Sequence, residues 1–513
     1  MNRRIMLLAV LTTGLMACGQ TPAPSAASPK MSPKTQPASL DPLGVAEDRD
    51  TAGMAQLLSF FDAATGAWNT PTGEAWQPAL GLDAVINTYE RTREVKYLNV
   101  IEKSFQRYNG RRSYYFDDDG WYLNAWLRIY DVTGDPKYLS EAKNLFEVMK
   151  GAWDDKCGGG VWWNKDYAYK NAVTNELFLL SAARLARRAG NGSGPGSYQN
   201  WANRSWNWFR ASGMINAQHL VNDGLGSDCQ SNGGITWTYN QGVILGALVE
   251  LWRSSGDRAY LYSAEQIAEA TMSGQVYSSG VLREPCEIGG NCDGDQQIFK
   301  GPFVQGLARL YNADRRNKPQ YADFLNRNAD SLWNASRTPQ NGLGLRWVGP
   351  VGSPNQASQA AGQLLIGGLA LLNAGGETAN ISPLSGSVYE AEAAARSGVG
   401  TESLYSGYSG SGYVAGWIAG GQNVTFTVPS ASSRSALVTF RYAGGAGDAL
   451  RTVTVNGVTQ AAALLFTGTG SWNTWNTVSL PLPLNAGSNT VSLNFDSGKG
   501  SSNYLNLDHL EVK

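Results

Sequence analysis

Apolar residues recur with helical spacing from about residue 50 to about residue 375, and the pattern repeats itself. Residues 125–149 ("AWLRIYDVTGDPKYLSEAKNLFEVM") and 247–271 ("ALVELWRSSGDRAYLYSAEQIAEAT") share one plan: an apolar helix, a Gly-Asp turn, a Tyr-Leu pair and an amphipathic helix. Similar hairpins are indicated at 84–108, 177–209 and 306–333. Helix pairs repeated in this way are typical of a ring or solenoid.

Two further helices, at about 52–64 and 357–373, bring the predicted number to about twelve. Six pairs predict an all-α (α/α)6 barrel, with apolar helices in an inner ring and amphipathic helices around them. Four stretches rich in aromatic and acidic residues lie just before the predicted inner helices: 114–122 ("YYFDDDGWY"), 154–171 ("DDKCGGGVWWNKDYAYKN"), 233–242 ("GGITWTYNQG") and 295–303 ("DQQIFKGPF"). We therefore expect these loops to form a groove at one end of the barrel.

The pattern changes after residues 373–387. Short runs alternate between apolar and polar residues, as in 422–430 ("QNVTFTVPS") and 489–497 ("NTVSLNFDS"), and Gly, Ser and Asn separate them. This alternation predicts antiparallel strands of a β-sandwich (jelly-roll) domain. The fold class is therefore multidomain, with a helical barrel followed by a β-sandwich.

The N-terminus predicts export. Residues 1–18 have a basic start, a short apolar run and small residues, which together indicate a secretory signal. "LMAC" resembles a bacterial lipoprotein processing site and predicts Cys18 as the lipidated first residue, with ordinary signal cleavage nearby as the alternative. We expect a cell-envelope lipoprotein or an extracellular protein. The other predicted boundaries are a Pro/Ser-rich linker at 19–45, the barrel at 46–376, a linker at 377–387 and the β-sandwich at 388–513.

The composition of the chain argues against some classes of function and favours others. The net charge of -1 and the pI of about 6.2 give no basic stripe, so we expect no nucleic-acid partner. Aromatic residues make up 11% of the chain, which suits carbohydrate recognition. Besides Cys18, four cysteines remain, and an even number in an exported chain favours disulfides over a zinc site. Of the three possible pairings we favour Cys286 with Cys292, which leaves Cys157 with Cys229.

Residues 117–119 are three consecutive aspartates between aromatic residues, in a chain with only 16% charged residues. A sugar-cleaving site needs carboxylates for proton transfer and flat rings that stack on a pyranose. The alternative is that these aspartates cap the helix beginning near Gly120. The spacing does not match an EF-hand calcium loop, and Asp154 with Asp155 forms a competing acidic pair.

Histidine chemistry is hard to build because only His219 and His509 exist, in different predicted domains. Acid-base chemistry therefore falls to Asp and Glu. Adjacent carboxylates at a helix entrance can both point into a cleft, and their repulsion raises the pKa of one of them. Such a pair can supply one nucleophile and one proton donor for glycoside hydrolysis.

Five motifs carry a resemblance to a known family: "YYFDDDGWYLNAWLRIYDVTGD", "CGGGVWWN", "YKNAVTNELFLLSAARLA", "ITWTYNQGVILGAL" and "FKGPFVQGLARL". They resemble, in order, the motifs of glycoside hydrolase family 76, which comprises (α/α)6-barrel α-1,6-mannanases and relatives in fungal cell-wall assembly. The resemblance covers about residues 50 to 375.

This resemblance implies that Asp117 is the nucleophile and Asp118 the general acid/base of a retaining mechanism, with Trp121 as the following aromatic residue. The third aspartate leaves a second register open, with Asp118 and Asp119 as the pair. Further residues in the matching motifs are candidates for substrate binding, with core packing as their alternative role: Trp162, Trp163, Tyr239, Asn240, Gln241 and Phe303.

The C-terminal segment resembles a carbohydrate-binding module of family 35 or its near relative family 6. The likeness rests on "YEAEAA", "GSGYVAGW", "SWNTWNTVSLPLPLNAGSNTVSL" and "YLNLDHLEV". It implies a structural Ca²⁺ held by Glu390, Glu392 and Asp508, as suits hard oxygen ligands; exposed acids on a strand are the alternative. Trp475 and Tyr413 are candidate sugar platforms.

Together these features predict a retaining, endo-acting α-1,6-mannanase that its module targets to polysaccharide. We expect no cofactor for catalysis, a monomer, and membrane contact only through a lipid on Cys18. One alternative is a cell-wall glycan transglycosylase of the same fold. Another, from a different class, is a non-catalytic glycan-binding surface protein.

Overall fold

The computed structural model describes residues 45–73, 75–189, 194–314, 318–377, 387–430 and 434–512. The predicted signal, Cys18 and nearly all of the first linker lie outside these residues, as does most of the second linker. Within the described residues, no helix is both long enough and apolar enough to span a membrane.

Residues 45–373 contain twelve α-helices in the described part of the chain. They are α1 Val45–Leu58, α2 Gln77–Thr92, α3 Val95–Tyr108, α4 Phe116–Thr133, α5 Pro136–Gly151, α6 Ala172–Ala189, α7 Tyr198–Ala211, α8 Thr238–Ser255, α9 Ala259–Gly274, α10 Lys300–Ala313, α11 Pro319–Ala335 and α12 Gln356–Asn373. A two-stranded hairpin of β1 (Phe61–Asp62) and β2 (Ala67–Trp68) follows α1.

The even-numbered helices form a closed inner ring, because each contacts the next and α12 returns to α2. They are buried on nearly every side, whereas the odd-numbered helices bury one face and surround the ring. Aromatic side chains fill the space between the two layers: Phe105 lies 5.0 Å from Trp126 and 4.8 Å from Tyr138, measured between ring centroids. The predicted (α/α)6 barrel is confirmed.

The Gly-Asp turns that revealed the repeat have a clear structural role. Gly134 ends α4 in the left-handed conformation (φ 68°), which glycine adopts without steric cost. Asp135 then accepts a hydrogen bond from the backbone N–H of Lys137 and caps α5. Gly256 (φ 74°) likewise ends α8, and Asp257 accepts a hydrogen bond from the backbone N–H of Ala259, the first residue of α9. Each turn therefore stops one helix and starts the next.

The structure corrects one expectation and confirms another. The first helix lies at 45–58 rather than at 52–64, because residues 61–68 form the short hairpin instead. Both favoured disulfides are present: Cys157–Cys229, with Cα atoms 5.1 Å apart, and Cys286–Cys292, with Cα atoms 5.0 Å apart.

Residues 387–512 form the predicted β-sandwich. The strands are β3 Ser387–Glu390, β4 Ala395–Ser397, β5 Gly400–Glu402, β6 Tyr413–Ala415, β7 Asn423–Ser430, β8 Arg434–Ala443, β9 Ala449–Val455, β10 Val458–Phe466, β11 Asn476–Leu484, β12 Gly487–Asn494 and β13 Asn506–Val512. One sheet has the strand order β10-β9-β12-β7-β4, and the other has the order β11-β8-β13-β6-β5, with β3 also paired to β13. Apolar side chains such as Phe426, Phe440, Val453 and Leu493 fill the space between the sheets.

Candidate active site

A cleft of about 180 Å³ opens where the N-terminal ends of several inner helices meet the loops before them. Its walls are mainly aromatic, with three carboxylates among them. The lining residues are Trp76, Asp117, Trp121, Trp163, Tyr169, Asn171, Val173, Asp223, Tyr239, Asp295 and Phe299. Aromatic faces beside carboxylates are the combination that binding and cleaving a sugar chain requires.

The start of α4 is held in place by the loop that contains Trp163. The backbone N–H of Phe116 donates to the carbonyl oxygen of Trp163 over 2.8 Å, and Tyr115 forms a β-bridge with Asn164. Tyr115, the residue before the helix, provides no side-chain cap. Because α4 begins at Phe116, the carboxylate of Asp117 lies in its first turn, where the free amide groups and the helix dipole favour negative charge.

Asp117 and Asp118 have different surroundings. Oδ2 of Asp117 accepts a hydrogen bond from Nε1 of Trp163 over 3.3 Å, and its Oδ1 is buried without a hydrogen bond among the described residues. Asp118 accepts from the Ser113 hydroxyl over 2.7 Å. Because successive helical residues point in different directions, Asp117 lines the aromatic cleft and Asp118 lines a neighbouring cavity of about 140 Å³.

Asp119 belongs to that neighbouring cavity and not to the lining of the aromatic cleft. Its Oδ1 accepts from the backbone N–H of Ser113 over 3.0 Å, and its Oδ2 is buried without a hydrogen bond in the described part of the chain. Of the three aspartates, Asp117 therefore lines the aromatic cleft, whereas Asp118 and Asp119 both line the neighbouring cavity.

All three aspartates are weaker acids than an exposed aspartate. Burial, followed by the nearby charge of Asp118, raises the pKa of Asp117 well above its ordinary value. Burial also raises the pKa of Asp118 to about 6, although the Ser113 hydrogen bond opposes the rise. The pKa of Asp119 is likewise about 6 because of burial. Two coupled carboxylates of this kind share a proton near neutral pH, which leaves one able to donate.

Residues 46–370 match the sequence profile of Glycosyl hydrolase family 76. The chain belongs to glycosyl hydrolase family 76. Residues 390–513 match the profile of Carbohydrate binding module (family 6), so both parts of the resemblance are confirmed and family 6 is the module family that matches.

Two relatives of this family 76 chain carry the name mannan endo-1,6-alpha-mannosidase. A putative mannan endo-1,6-alpha-mannosidase of Schizosaccharomyces pombe is 28% identical over 277 residues, which cover 49% of this chain and 61% of the relative. The mannan endo-1,6-alpha-mannosidase DCW1 of Saccharomyces cerevisiae is 30% identical over 226 residues, which cover 42% and 49%. The chain thus spans about half to three-fifths of these two relatives.

A solved structure shares the fold. It is an inactive variant of the α-1,6-mannanase GH76A of Salegentibacter sp. HEL1_6, with two consecutive aspartates replaced by alanine, in complex with α-1,6-mannotetrose. The match has a TM-score of 0.58 and 25% identity, and it covers 64% of this chain and 99% of the mannanase.

The family 76 cleft includes Trp121, Trp163 and Tyr239 among the predicted substrate-binding residues. The other four barrel candidates are buried away from its lining. Trp162 donates to Asp154 over 2.8 Å and packs under Lys170. Gln241 hydrogen-bonds both the N–H and the carbonyl of Val221. Asn240 and Phe303 are completely buried, and Phe303 packs on Phe324.

Seven lining residues were not singled out individually from the sequence, and five of them are aromatic or acidic. Tyr169 donates its hydroxyl to Asp223 over 2.5 Å, and Trp76 donates its indole N–H to Asp295 over 2.8 Å. Phe299 packs 4.1 Å from Tyr239 between ring centroids. Trp76 and Phe299 directly precede α2 and α10, so the rule that the cleft is built just before inner helices could have found them. Tyr169 and Asp295 lie within two of the stretches expected to form the groove, 154–171 and 295–303, whereas Asp223 carries no comparable local signal.

In the family 6 module, the three acids proposed for calcium surround the loop at residues 409–411. The Ser409 hydroxyl donates to Glu390 over 2.9 Å, and its N–H donates to Asp508 over 2.8 Å. Glu392 accepts from the Ser411 N–H over 2.7 Å, and its second oxygen is buried without a hydrogen bond among the described residues. Ligand atoms of Glu390, Asp508 and His509 lie within 4.8 Å of one another.

Asp508 also forms an ion pair with Arg441. Burial raises the pKa of Asp508, but hydrogen bonds from His509, Arg441 and Ser409 outweigh it and hold the pKa below its ordinary value. The carboxylate is therefore ionised at neutral pH. The carboxylates of Glu390 and Asp508 and the unpaired buried oxygen of Glu392 are oxygen donors of the kind that suits Ca²⁺, although Arg441 already supplies part of the positive charge.

Of the two predicted platforms, Trp475 is partly exposed and Tyr413 is completely buried beneath it, with ring centroids 5.4 Å apart. The Trp475 indole donates to the Ser406 carbonyl over 2.9 Å, and Arg441 lies 5.2 Å from its ring centroid. Trp472 and Tyr405 stack nearby and are also partly exposed. Trp475, Trp472 and Tyr405 thus form one exposed aromatic surface of the module.

Proposed function

We propose that this chain is a retaining, endo-acting hydrolase of α-1,6-mannosidic linkages, and that Asp117 and Asp118 carry the reaction. The observation that supports this most is the position of the two carboxylates in the first turn of α4, with Asp117 facing the aromatic cleft. The choice of substrate rests on the relatives, which carry the name mannan endo-1,6-alpha-mannosidase. The inactive variant of the Salegentibacter mannanase, in which two consecutive aspartates are replaced, supports Asp117 and Asp118 as the catalytic pair.

In this mechanism Asp117 attacks the anomeric carbon while protonated Asp118 gives its proton to the departing glycosidic oxygen. A covalent mannosyl ester on Asp117 results, and the leaving chain departs with a hydroxyl group. Asp118, now ionised, removes a proton from water, whose oxygen displaces Asp117 and restores the starting state. Burial raises the pKa of both carboxylates, so the pair retains a proton more readily than exposed aspartates do, and the cycle uses the state in which Asp118 carries that proton and Asp117 is ionised.

Chromatography of products from linear α-1,6-mannan tests the assignment. We expect short manno-oligosaccharides from the wild-type protein and none from Asp117→Asn or Asp118→Asn, whereas Asp119→Asn keeps activity. Loss of activity in Asp119→Asn with retention in Asp117→Asn would assign the other register. Products longer than an oligosaccharide substrate would assign the transglycosylase alternative. A parent protein that binds mannan without cleaving it would support the binding-protein alternative.

We further propose that the module holds the enzyme on polysaccharide through its exposed aromatic surface. Pull-down with insoluble mannan, using the full chain, tests this. Trp475→Ala should reduce the bound fraction severalfold and leave hydrolysis of short soluble oligosaccharides unchanged. The control Leu404→Ala removes an exposed side chain of the same domain (77% exposed) and should bind normally.

Glu390, Glu392 and Asp508 are proposed to hold a structural Ca²⁺. Two measurements on the full chain test this site: thermal unfolding with and without EDTA, and calorimetric titration with Ca²⁺. We expect a lower Tm in EDTA and at least tenfold weaker Ca²⁺ binding in Glu392→Gln, because that change removes a charged ligand. An unchanged Tm together with no heat of binding argues against the site.

Export and lipid anchoring also remain proposals. The two disulfides fit an oxidising compartment, and the proposed anchor is Cys18. Metabolic labelling with a radioactive fatty acid should label the wild-type protein and not Cys18→Ser. Label on neither protein would favour ordinary signal cleavage.

A further inference from the structure

A small cavity lies deep in the barrel, between five of the six inner helices. Its volume is about 20 Å³, enough for one species of about the size of a water molecule. Trp121 lines both this cavity and the aromatic cleft. The polar side chains around it are Asp83, Asn124, Arg184, Gln305 and Arg309.

Two hydrogen-bond donors at this cavity lack a partner. Arg184 is 2% exposed, and its Nη1 donates to the carbonyl of Asn124 over 3.1 Å, but its Nε makes no hydrogen bond. Gln305 is 4% exposed, and its Nε2 also makes none. These statements hold for the described residues. Buried donors that are left unsatisfied cost free energy, so a species that accepts hydrogen bonds is favoured here.

The charge on Arg184 also lacks a direct partner. Among the described residues, no carboxylate oxygen lies within 4.0 Å of its guanidinium. Neighbouring carboxylates are in ion pairs with other arginines: Asp83 and Glu90 with Arg128, Glu377 with Arg309, and Glu250 with Arg188.

Longer-range forces on Arg184 largely oppose one another, because Glu250 and Glu377 attract its charge while Arg309 and Arg188 repel it. Burial, followed by the charge of Arg309, lowers the pKa of Arg184 to about 9, which still leaves it charged at neutral pH. An uncompensated buried charge is costly, and an anion in contact with it would offset that cost.

We propose that this cavity binds a small monovalent anion such as chloride, held by Nε of Arg184 and Nε2 of Gln305. Both unpartnered groups are donors, and a halide only accepts hydrogen bonds while it supplies the missing negative charge. A water molecule would satisfy the donors but would leave the charge of Arg184 without a counter-ion.

Thermal unfolding of the full chain tests the proposal, in sodium chloride against sodium gluconate at equal ionic strength. Because the anion binds the folded state, Tm should rise by about 2–4 °C with chloride and then saturate. Gln305→Glu places a carboxylate beside Arg184, so its Tm should not respond to chloride, and neither should that of Arg184→Met if it folds. The control Arg204→Gln removes a surface arginine that pairs with Asp155 and should respond like the wild type.

A crystal structure of the wild-type protein grown in sodium bromide gives a direct readout. An anomalous peak in the cavity beside Arg184 and Gln305 supports the proposal. Density for water without anomalous signal overturns it. So does a chloride response that is absent from the wild type or retained in Gln305→Glu.

Discussion

Trp163 donates its indole N–H to the carboxylate of Asp117, with 3.3 Å between Nε1 and Oδ2. This bond joins the first turn of α4 to the loop at residues 161–164, and it lowers the pKa of Asp117 against the larger opposing effect of burial. The tryptophan therefore both orients the proposed nucleophile and favours its ionised form.

Replacing Trp163 by phenylalanine should weaken catalysis and move its pH dependence. Loss of the donor removes a hydrogen bond to a charged group, worth about 1.5–3 kcal/mol, so kcat/KM should fall roughly tenfold or more. The pKa of Asp117 should rise further, and the acid limb of the pH–rate profile should therefore move to higher pH. Trp162→Phe is the matched control, because its indole donates to Asp154 instead. An acid limb that moves equally in both variants would contradict this role for Trp163.

Asp119 should destabilise the folded protein at neutral pH. Its pKa is about 6 when folded, against 3.8 for an ordinary aspartate, so the folded state binds its proton more tightly than the unfolded chain does. Stability is consequently lost as the pH rises from about 4 to about 6. Asp119→Asn should raise the free energy of unfolding at pH 8, by at most about 3 kcal/mol, and should have little effect below pH 4.

Chemical denaturation at pH 4 and pH 8 measures this difference. Asp155→Asn, at a side chain that is 89% exposed, serves as the control and should change stability little at either pH. An Asp119→Asn variant less stable than the wild type at pH 8 would show that the hydrogen bond from Ser113 outweighs the effect of burial.

The two disulfides should contribute unequally to stability. Cys157–Cys229 joins residues 72 positions apart, and Cys286–Cys292 joins residues 6 apart. Loop-closure entropy predicts that the free energy of unfolding falls by about 4 kcal/mol when the first pair is changed to serine and by about 2 kcal/mol when the second is. Denaturant unfolding of the two double variants measures both values. A larger loss from the short loop would indicate that native-state packing, rather than chain entropy, dominates.

Arg441 should compete with calcium for Asp508, since both place positive charge on the same carboxylate. Arg441→Gln should therefore bind Ca²⁺ more tightly, by about tenfold, as measured by calorimetric titration of the full chain. Arg396→Gln is a suitable control, because the Arg396 guanidinium contacts backbone carbonyls near the site and none of the three carboxylates. Weaker binding in Arg441→Gln would mean that Arg441 orients Asp508 for the ion.

Much of the barrel could be predicted because its signals are local. Helical periodicity marks each hairpin, and the Gly134–Asp135 turn both stops α4 and caps α5 within a few residues. The aspartates before Trp121 stand out for the same reason, since their composition is unusual over a short stretch. Their catalytic roles remain predictions.

Other parts of the cleft depend on contacts between distant segments. Asp223 meets Tyr169 across 54 positions, and Asp295 meets Trp76 across 219. No short window contains both partners of either pair, so neither contact could be predicted from the sequence.

The different positions of Trp162 and Trp163 could not be predicted from the sequence around them. They are adjacent and chemically identical, and in extended backbone neighbouring side chains point to opposite sides. Amino-acid order was enough to specify the helix pairs, their turns and the aspartate cluster, because those features depend on interactions a few residues apart. Packing of the 161–164 loop against the start of α4 decided that Trp163 faces Asp117 while Trp162 packs against Lys170, because only the folded chain brings these segments together.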